Sequence, residues 1–205
     1  YEFRILIDDA HGFGYMGPTG AGADEAQGCQ DGIDLYFSSM VKSLGSLGGF
    51  ICGPKAVIKY LRYNVRSQIF AKSVPLLVVD GMLKRMDMIK TMPELRDVNR
   101  LQAGLKERGF DIGHTNSPVT PIYMKGELPE ATQMVMDLRE NYGIFCSIVV
   151  YPVIPKGDII YRLIPTASHS DADIEKTLNA FEETKKKLDA GLYKAAEIPD
   201  MAEVI

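Results

Sequence analysis

Lys42 stands in the run Ser39-Met40-Val41-Lys42-Ser43-Leu44-Gly45-Ser46-Leu47-Gly48-Gly49-Phe50, after a serine hydroxyl and before a glycine-rich turn. A lysine amine that is desolvated or set near other cations loses its proton readily and can attack a carbonyl to form an imine. The segment is not a phosphate-cradling Walker loop, because that motif places its lysine after the glycines. Upstream, Asp8-Asp9-Ala10-His11-Gly12 offers a carboxylate and an imidazole across a tight turn. Three chemistries compete for that pair. Asp8, Asp9 and His11 could hold a divalent metal, although no second histidine or carboxylate cluster sits nearby in the sequence. Asp8 could be satisfied by backbone amides with His11 simply packed. Or Asp8 could keep a ring nitrogen protonated while His11 donates to a ring oxygen. Pyridoxal 5'-phosphate has both features and also requires a lysine, which Lys42 supplies, while the Ser39 hydroxyl could meet the phosphate.

Elements must position these groups. Tyr1 to Ile7 is largely apolar and reads as a buried strand ending at Asp8, and the carboxyl ends of strands are where open α/β sheets handle ligands. A carboxylate buried there needs a cationic partner. After glycine-rich residues up to Gly22, a second strand at about 35–38 delivers Ser39 and Lys42, and a third at 48–53 leaves the turn. Helical spacing begins after Pro54, a proline suited to a first turn, with Val57, Ile58, Leu61 and Val65 on one face. A further apolar helix is predicted over 75–92, burying Leu76, Leu77, Val79, Met82, Leu83 and Met86.

Composition shifts near Thr91-Met92-Pro93. An amphipathic helix over 95–108 then exposes Arg96, Asp97, Arg100, Lys106 and Glu107 and ends at Gly109. A strand at 121–124, a helix at 129–142, strands at 143–150 and 159–164, and a helix capped by Ser170-Asp171-Ala172-Asp173 and running to about Leu188 complete the pattern. The α-β-α-β-β-α order predicts a small α+β domain with an antiparallel sheet. The acidic tail from Ala195 is expected to be poorly ordered.

The 205 residues carry 24% charged side chains and a net charge of -4, without a basic block. That excludes a nucleic-acid footprint, and no apolar run reaches the length of a membrane span. No signal peptide is visible, so a cytoplasmic location is the expectation. Cys29, Cys52 and Cys146 are odd in number and widely spaced, which argues against a disulfide framework or zinc site and for reduced, mostly buried thiols.

Taken together, Asp8-Asp9-Ala10-His11-Gly12, the Ser39-to-Phe50 run, and Arg162 followed by Thr166-Ala167-Ser168-His169-Ser170 resemble the α-oxoamine synthases, pyridoxal-phosphate enzymes of fold type I. The resemblance spans about Phe3 to Leu188. It implies an α/β fold: the C-terminal part of an aspartate aminotransferase-like large domain at 1–90, a small α+β domain at 91–190, and a tail at 191–205. It further implies Lys42 and His11 as catalytic residues, with Asp8, His11, Ser39 and Lys42 binding pyridoxal 5'-phosphate and Arg162 binding the amino-acid carboxylate. No metal is implied. The partners would be an amino acid and an acyl-CoA, condensed by a homodimer without nucleic acid or membrane. The Tyr151–Gly157 loop resembles the glycine-using 2-amino-3-ketobutyrate CoA ligases, the preferred reading, while Lys42-Ser43-Leu44-Gly45 and Gly49-Phe50 resemble bacterial serine palmitoyltransferases. An ordinary aminotransferase and a non-catalytic subunit stay open. Phe70-Ala71-Lys72-Ser73-Val74-Pro75 departs from the family pattern, so a phosphate contact there passes to Lys72 or Ser73 or is lost. Met40-Val41 replaces smaller residues. The family's N-terminal half is absent, and these residues alone are expected not to turn over.

Overall fold

The computed structural model describes residues 3–93 and 99–194. The chain divides into two compact units, Tyr1–Arg96 and Asp97–Ile205. In the first, β1 (Leu6–Asp8), β2 (Leu35–Ser39) and β3 (Gly49–Cys52) form one sheet in that order, joined by the short helix α1 (Ala23–Gln27) and a 3-10 turn at Gln30–Gly32. β1 and β2 run parallel, with Asp8 opposite Phe37, and β3 returns antiparallel to β2. Helices α2 (Lys55–Asn64), α3 (Arg66–Phe70) and α4 (Leu76–Thr91) follow. Pro54 takes the cap ahead of α2 rather than a place in its first turn.

Two expectations fail here. The first strand is neither long nor buried: only Leu6–Asp8 pair, and Leu6 is 59% exposed. It is an edge strand whose one ladder among the described residues is to β2, so its other edge is unpaired there. Of the residues that α4 was expected to bury, only Val79, Met82 and Met86 pack inward. Met82 is buried with Met40 and Leu44, flanked by Val78, Val79, Met86 and Ile89, whereas Leu76, Leu77 and Leu83 face outward. Apolar residues surround this helix on every side, so periodicity alone does not choose the packed stripe. The stripe is chosen by what lies opposite: Phe13 and Phe50, which meet edge to face with centroids 5.0 Å apart, and the loop after β2.

The second unit holds α5 (Asn99–Glu107), β4 (Thr120–Lys125), α6 (Leu128–Tyr142), β5 (Ser147–Val149), β6 (Asp158–Leu163) and α7 (Asp171–Asp189). The predicted antiparallel sheet is present in the order β4-β6-β5. Strict alternation governs β6: Ile159, Tyr161 and Leu163 are buried in a core with Met134, Leu138 and Phe181, while Arg162 is exposed. β5 is shorter than expected because Gly143 closes α6 in the left-handed region (φ 67) and Ile144 N bonds back to Leu138 O, so the residues ahead of Ser147 belong to the cap. Ser170 caps α7 as its sequence implied, forming a capping box with Asp173. Residues 95–98 of the helix expected over 95–108, with Arg96 and Asp97, lie outside the described residues, as does the tail from Ala195. The thiols differ from expectation as well. Cys29 and Cys52 are exposed, and only Cys146 is buried, its thiol pushed up to about 12 by that burial.

Asp137 ties α6 to α7. Its carboxylate accepts from Lys187 Nζ at 2.7 Å, Tyr193 Oη at 2.6 Å and Asn141 Nδ2 at 2.7 Å. Burial opposes its charge, but these donors outweigh burial and hold its carboxyl below the ordinary value. A depressed folded-state pKa gives stability that is present above the unfolded-state pKa and is lost as pH falls through the folded one. We expect Asp137→Ala to cost the unit about 2 kcal/mol at neutral pH. The difference from wild type in urea unfolding should shrink under acid as that carboxyl protonates.

Candidate cofactor and substrate site

Parallel pairing sends the carboxyl ends of β1 and β2 to the same end of the sheet. Asp8 is the last residue of one strand and Ser39 of the other, so the turns carrying His11 and Lys42 leave from adjacent positions. The Lys42 turn is a closed loop. Met40 N donates to Gly48 O and Ser46 N to Met40 O, both at 2.9 Å, and Gly45 N donates to Lys42 O at 2.9 Å. Buried Met40 and Leu44 anchor it from below while Lys42 stands exposed. The loop bearing His11 packs against this turn at Gly14, where φ is +82 and any Cβ would collide with Ser43. Glycine there lets the two segments touch.

Of the two adjacent carboxylates, the buried one is Asp9 and not Asp8, which corrects the expectation of a buried Asp8 in need of a cation. Asp9 Oδ2 accepts from Tyr36 Oη and from Ala23 N, each at 2.8 Å. Burial, and then this bond, push the Tyr36 phenol well above its ordinary value. Asp8 is exposed, and its Oδ1 accepts from Ala10 N at 3.1 Å. Asp9, the residue after β1, is committed to the α1 side by its bonds to Ala23 and Tyr36, while Asp8 stays exposed. The metal alternative loses its second carboxylate by the same geometry. Among the described residues, no group of three His, Cys, Asp or Glu side chains is placed to hold a metal.

The donor set at this sheet end fits pyridoxal 5'-phosphate. It offers an anionic acceptor at Asp8, an imidazole at His11, an amine at Lys42 and a hydroxyl at Ser39. Ser39 Oγ accepts from Val41 N at 3.3 Å, which leaves its hydroxyl proton to donate. Among the described residues neither Asp8 nor Lys42 takes part in an ion pair. Lys72 and Ser73 are exposed, and Lys72 has left-handed backbone (φ 67).

Arg162 belongs to the second unit. It lies on β6, opposite Pro121 of β4 and Ser147 of β5, and its Nε donates to Ser147 Oγ at 3.1 Å. No carboxylate among the described residues pairs with it. Arg108, by contrast, is occupied by Glu175 and Glu182. The Thr166–Ser170 motif forms its own turn, in which Thr166 N donates to His169 Nδ1 at 2.9 Å. Two contacts, one in each unit, have no chemical signature in the sequence. The Asp9–Tyr36 lock could be suspected only from a second carboxylate beside the first, and the Ser147–Arg162 pair only from strand register.

Comparison with known proteins gives concordant results. The family model described as aminotransferase class I and II matches residues 1–181. A cysteate-C-fatty acyltransferase of Capnocytophaga ochracea is 58% identical over 95% of this chain and 48% of its own length. A serine palmitoyltransferase of Sphingobacterium spiritivorum is 34% identical over 90% of this chain and 48% of its own. Among solved structures, a high-resolution SPT with PLP internal aldimine superposes with a TM-score of 0.81 and 28% identity, covering 91% of this chain and 48% of that one. The chain thus spans about half the length of the curated relatives it matches, and its mixed α/β fold is that of the expected class.

Proposed function

Since the chain belongs to the class I and II aminotransferase family, alongside the α-oxoamine synthases its motifs resemble, we propose that it carries the lysine-bearing part of a pyridoxal-phosphate-dependent acyltransferase. The reaction joins the α-carbon of an amino acid to the acyl carbon of an acyl-CoA. The thioester C–S bond breaks and CoA leaves as its thiol, the amino-acid carboxylate departs as carbon dioxide, and an α-amino ketone remains. The observation that carries this reading is the parallel β1–β2 pair, which sets Asp8 and the Lys42 turn at one sheet end.

The cofactor, when bound, supplies an electron sink for charge developing at the substrate α-carbon. This chain's residues would do the rest. Asp8 would keep a proton on the pyridine nitrogen through a charge-assisted hydrogen bond. His11 would donate a ring N–H to the phenolic oxygen. Ser39 would donate its hydroxyl proton to a phosphate oxygen. Lys42 Nζ would hold the cofactor and accept the substrate α-proton, the two uses open to an amine that can lose its charge. Arg162 binds the amino-acid carboxylate.

For the substrates we favour cysteate with a long-chain acyl-CoA over glycine with a short one. The support is the 58% identity to a cysteate-C-fatty acyltransferase, against 34% to a serine palmitoyltransferase. Serine with palmitoyl-CoA is the second reading. A cytoplasmic homodimer belongs to the same proposal, and among the described residues no helix is long and apolar enough to cross a membrane. CoA release should be measured for the full-length enzyme with cysteate, serine and glycine against acyl chains of two to eighteen carbons, a span of about nine even lengths chosen to separate about 0.8 kcal/mol per buried methylene. Cysteate with a long chain should give the highest kcat/KM. A preference for glycine with acetyl-CoA would reject this assignment in favour of the 2-amino-3-ketobutyrate CoA ligase activity.

A further inference from the structure

We propose that Ser147 is a positioning residue that aims the Arg162 guanidinium, and that the amino-acid carboxylate is therefore met end-on by the two Nη groups. This rests on the reading of Arg162 as the carboxylate-binding residue. Ser147 lies directly opposite Arg162 in the β5–β6 ladder. The neighbouring residues Ile148, Tyr161 and Leu163 face the core, so Ser147 and Arg162 share the outer face. On the other flank the residue opposite Arg162 is Pro121, which brings no polar side-chain atom. The Ser147 hydroxyl is thus the side-chain acceptor directly opposite Arg162 in its two ladders, and it takes the Nε proton at 3.1 Å.

A guanidinium can grip a carboxylate side-on through Nε and one Nη, or end-on through both Nη groups. With Nε held by Ser147, the side-on edge is occupied and the end-on fork remains. The long arginine side chain otherwise keeps much rotamer freedom on an exposed strand, and fixing it beforehand lowers the entropy lost on binding. The contribution should therefore appear in amino-acid binding and not in the chemical step.

The test is Ser147→Ala and Ser147→Thr in the full-length enzyme. In Ser147→Ala the amino-acid KM should rise about 3- to 10-fold, the worth of one such hydrogen bond, with kcat within about twofold and the acyl-CoA KM unchanged. Ser147→Thr, which keeps the hydroxyl, should restore it. An independent readout is the Arg162 Nε–Hε signal in nitrogen-15 NMR. Its exchange with water should be slowed in the wild type and in Ser147→Thr and fast in Ser147→Ala. An unchanged amino-acid KM in Ser147→Ala, equal loss in kcat, or failure of threonine to rescue would overturn the proposal. If Arg162→Ala leaves the amino-acid KM unaltered while Nε–Hε protection persists in the wild type, the carboxylate reading has failed and the proposal falls with it, although the bond itself exists.

Discussion

Lys42→Ala is expected to reduce turnover of the full-length enzyme by at least about 10⁴-fold, since one substitution removes both the covalent tether and the base. The fold should not notice. Lys42 is exposed and makes no ion pair among the described residues, while its turn is held by backbone bonds and by buried Met40 and Leu44. Stability should stay within about 0.5 kcal/mol of wild type. Lys42→Arg should be as inactive as the alanine variant, because a guanidinium does not give up its proton and cannot act as the nucleophile. Borohydride reduction with pyridoxal 5'-phosphate should add the cofactor's mass to Lys42 in the wild type and to no lysine in Lys42→Ala. Turnover retained in Lys42→Ala, or the label on another lysine, would remove Lys42 from the centre of the mechanism.

Arg162→Ala should raise the amino-acid KM by about 30- to 100-fold, the equivalent of a charge-assisted pair of hydrogen bonds. The KM for the acyl-CoA should stay near its wild-type value, because a thioester offers this residue no carboxylate. Arg162→Lys should recover little of the loss. An ammonium is a point charge without the planar fork, and it has no Nε for Ser147 to hold. Because Arg162 lies on the exposed face of β6, with the core packed on the other, the substitutions should leave thermal unfolding close to wild type. Steady-state kinetics with each substrate varied in turn would check the prediction, and a comparable rise in both KM values would contradict it.

How far the sequence could be read depended on whether a residue's environment is decided nearby. β6 was readable as a short run rich in β-branched and aromatic residues, although the alternation of its burial appears only in the structure. The start of α7 was equally legible: Ser170 and Asp173 form a cap from within four residues. α4 was not. Its leucines are as apolar as its packed methionines, and the choice among them is made by Phe13, Phe50 and the Lys42 turn, distant in sequence. The strand anticipated at 143–150 starts only at Ser147, because glycine closing a helix and glycine opening a strand look alike before the cap is seen. In the candidate site, the residue types and strand-end positions of Asp8, Ser39 and Lys42 were visible in the motifs. Which of two adjacent aspartates is buried, and which side chain reaches Arg162 Nε, depend on contacts and ladder register that no local motif encodes.

The tandem aspartates turn β1 into an indexed part. Asp9 works as a key in a slot, seated on Tyr36 Oη and Ala23 N, while Asp8 stays exposed. A one-residue slip of this strand would put Asp8 into the slot of Asp9 with Ile7 behind it, or Asp9 into the place of Asp8 with Ala10 in the slot, so one of the two carboxylate positions would be lost. The chain should therefore tolerate length changes least along β1, whose three residues look nearly dispensable, and most in the exposed turn of 151–157. A length change in that turn leaves both aspartates in place, whereas sliding β1 by a single step unseats Asp9 from Tyr36 and Ala23.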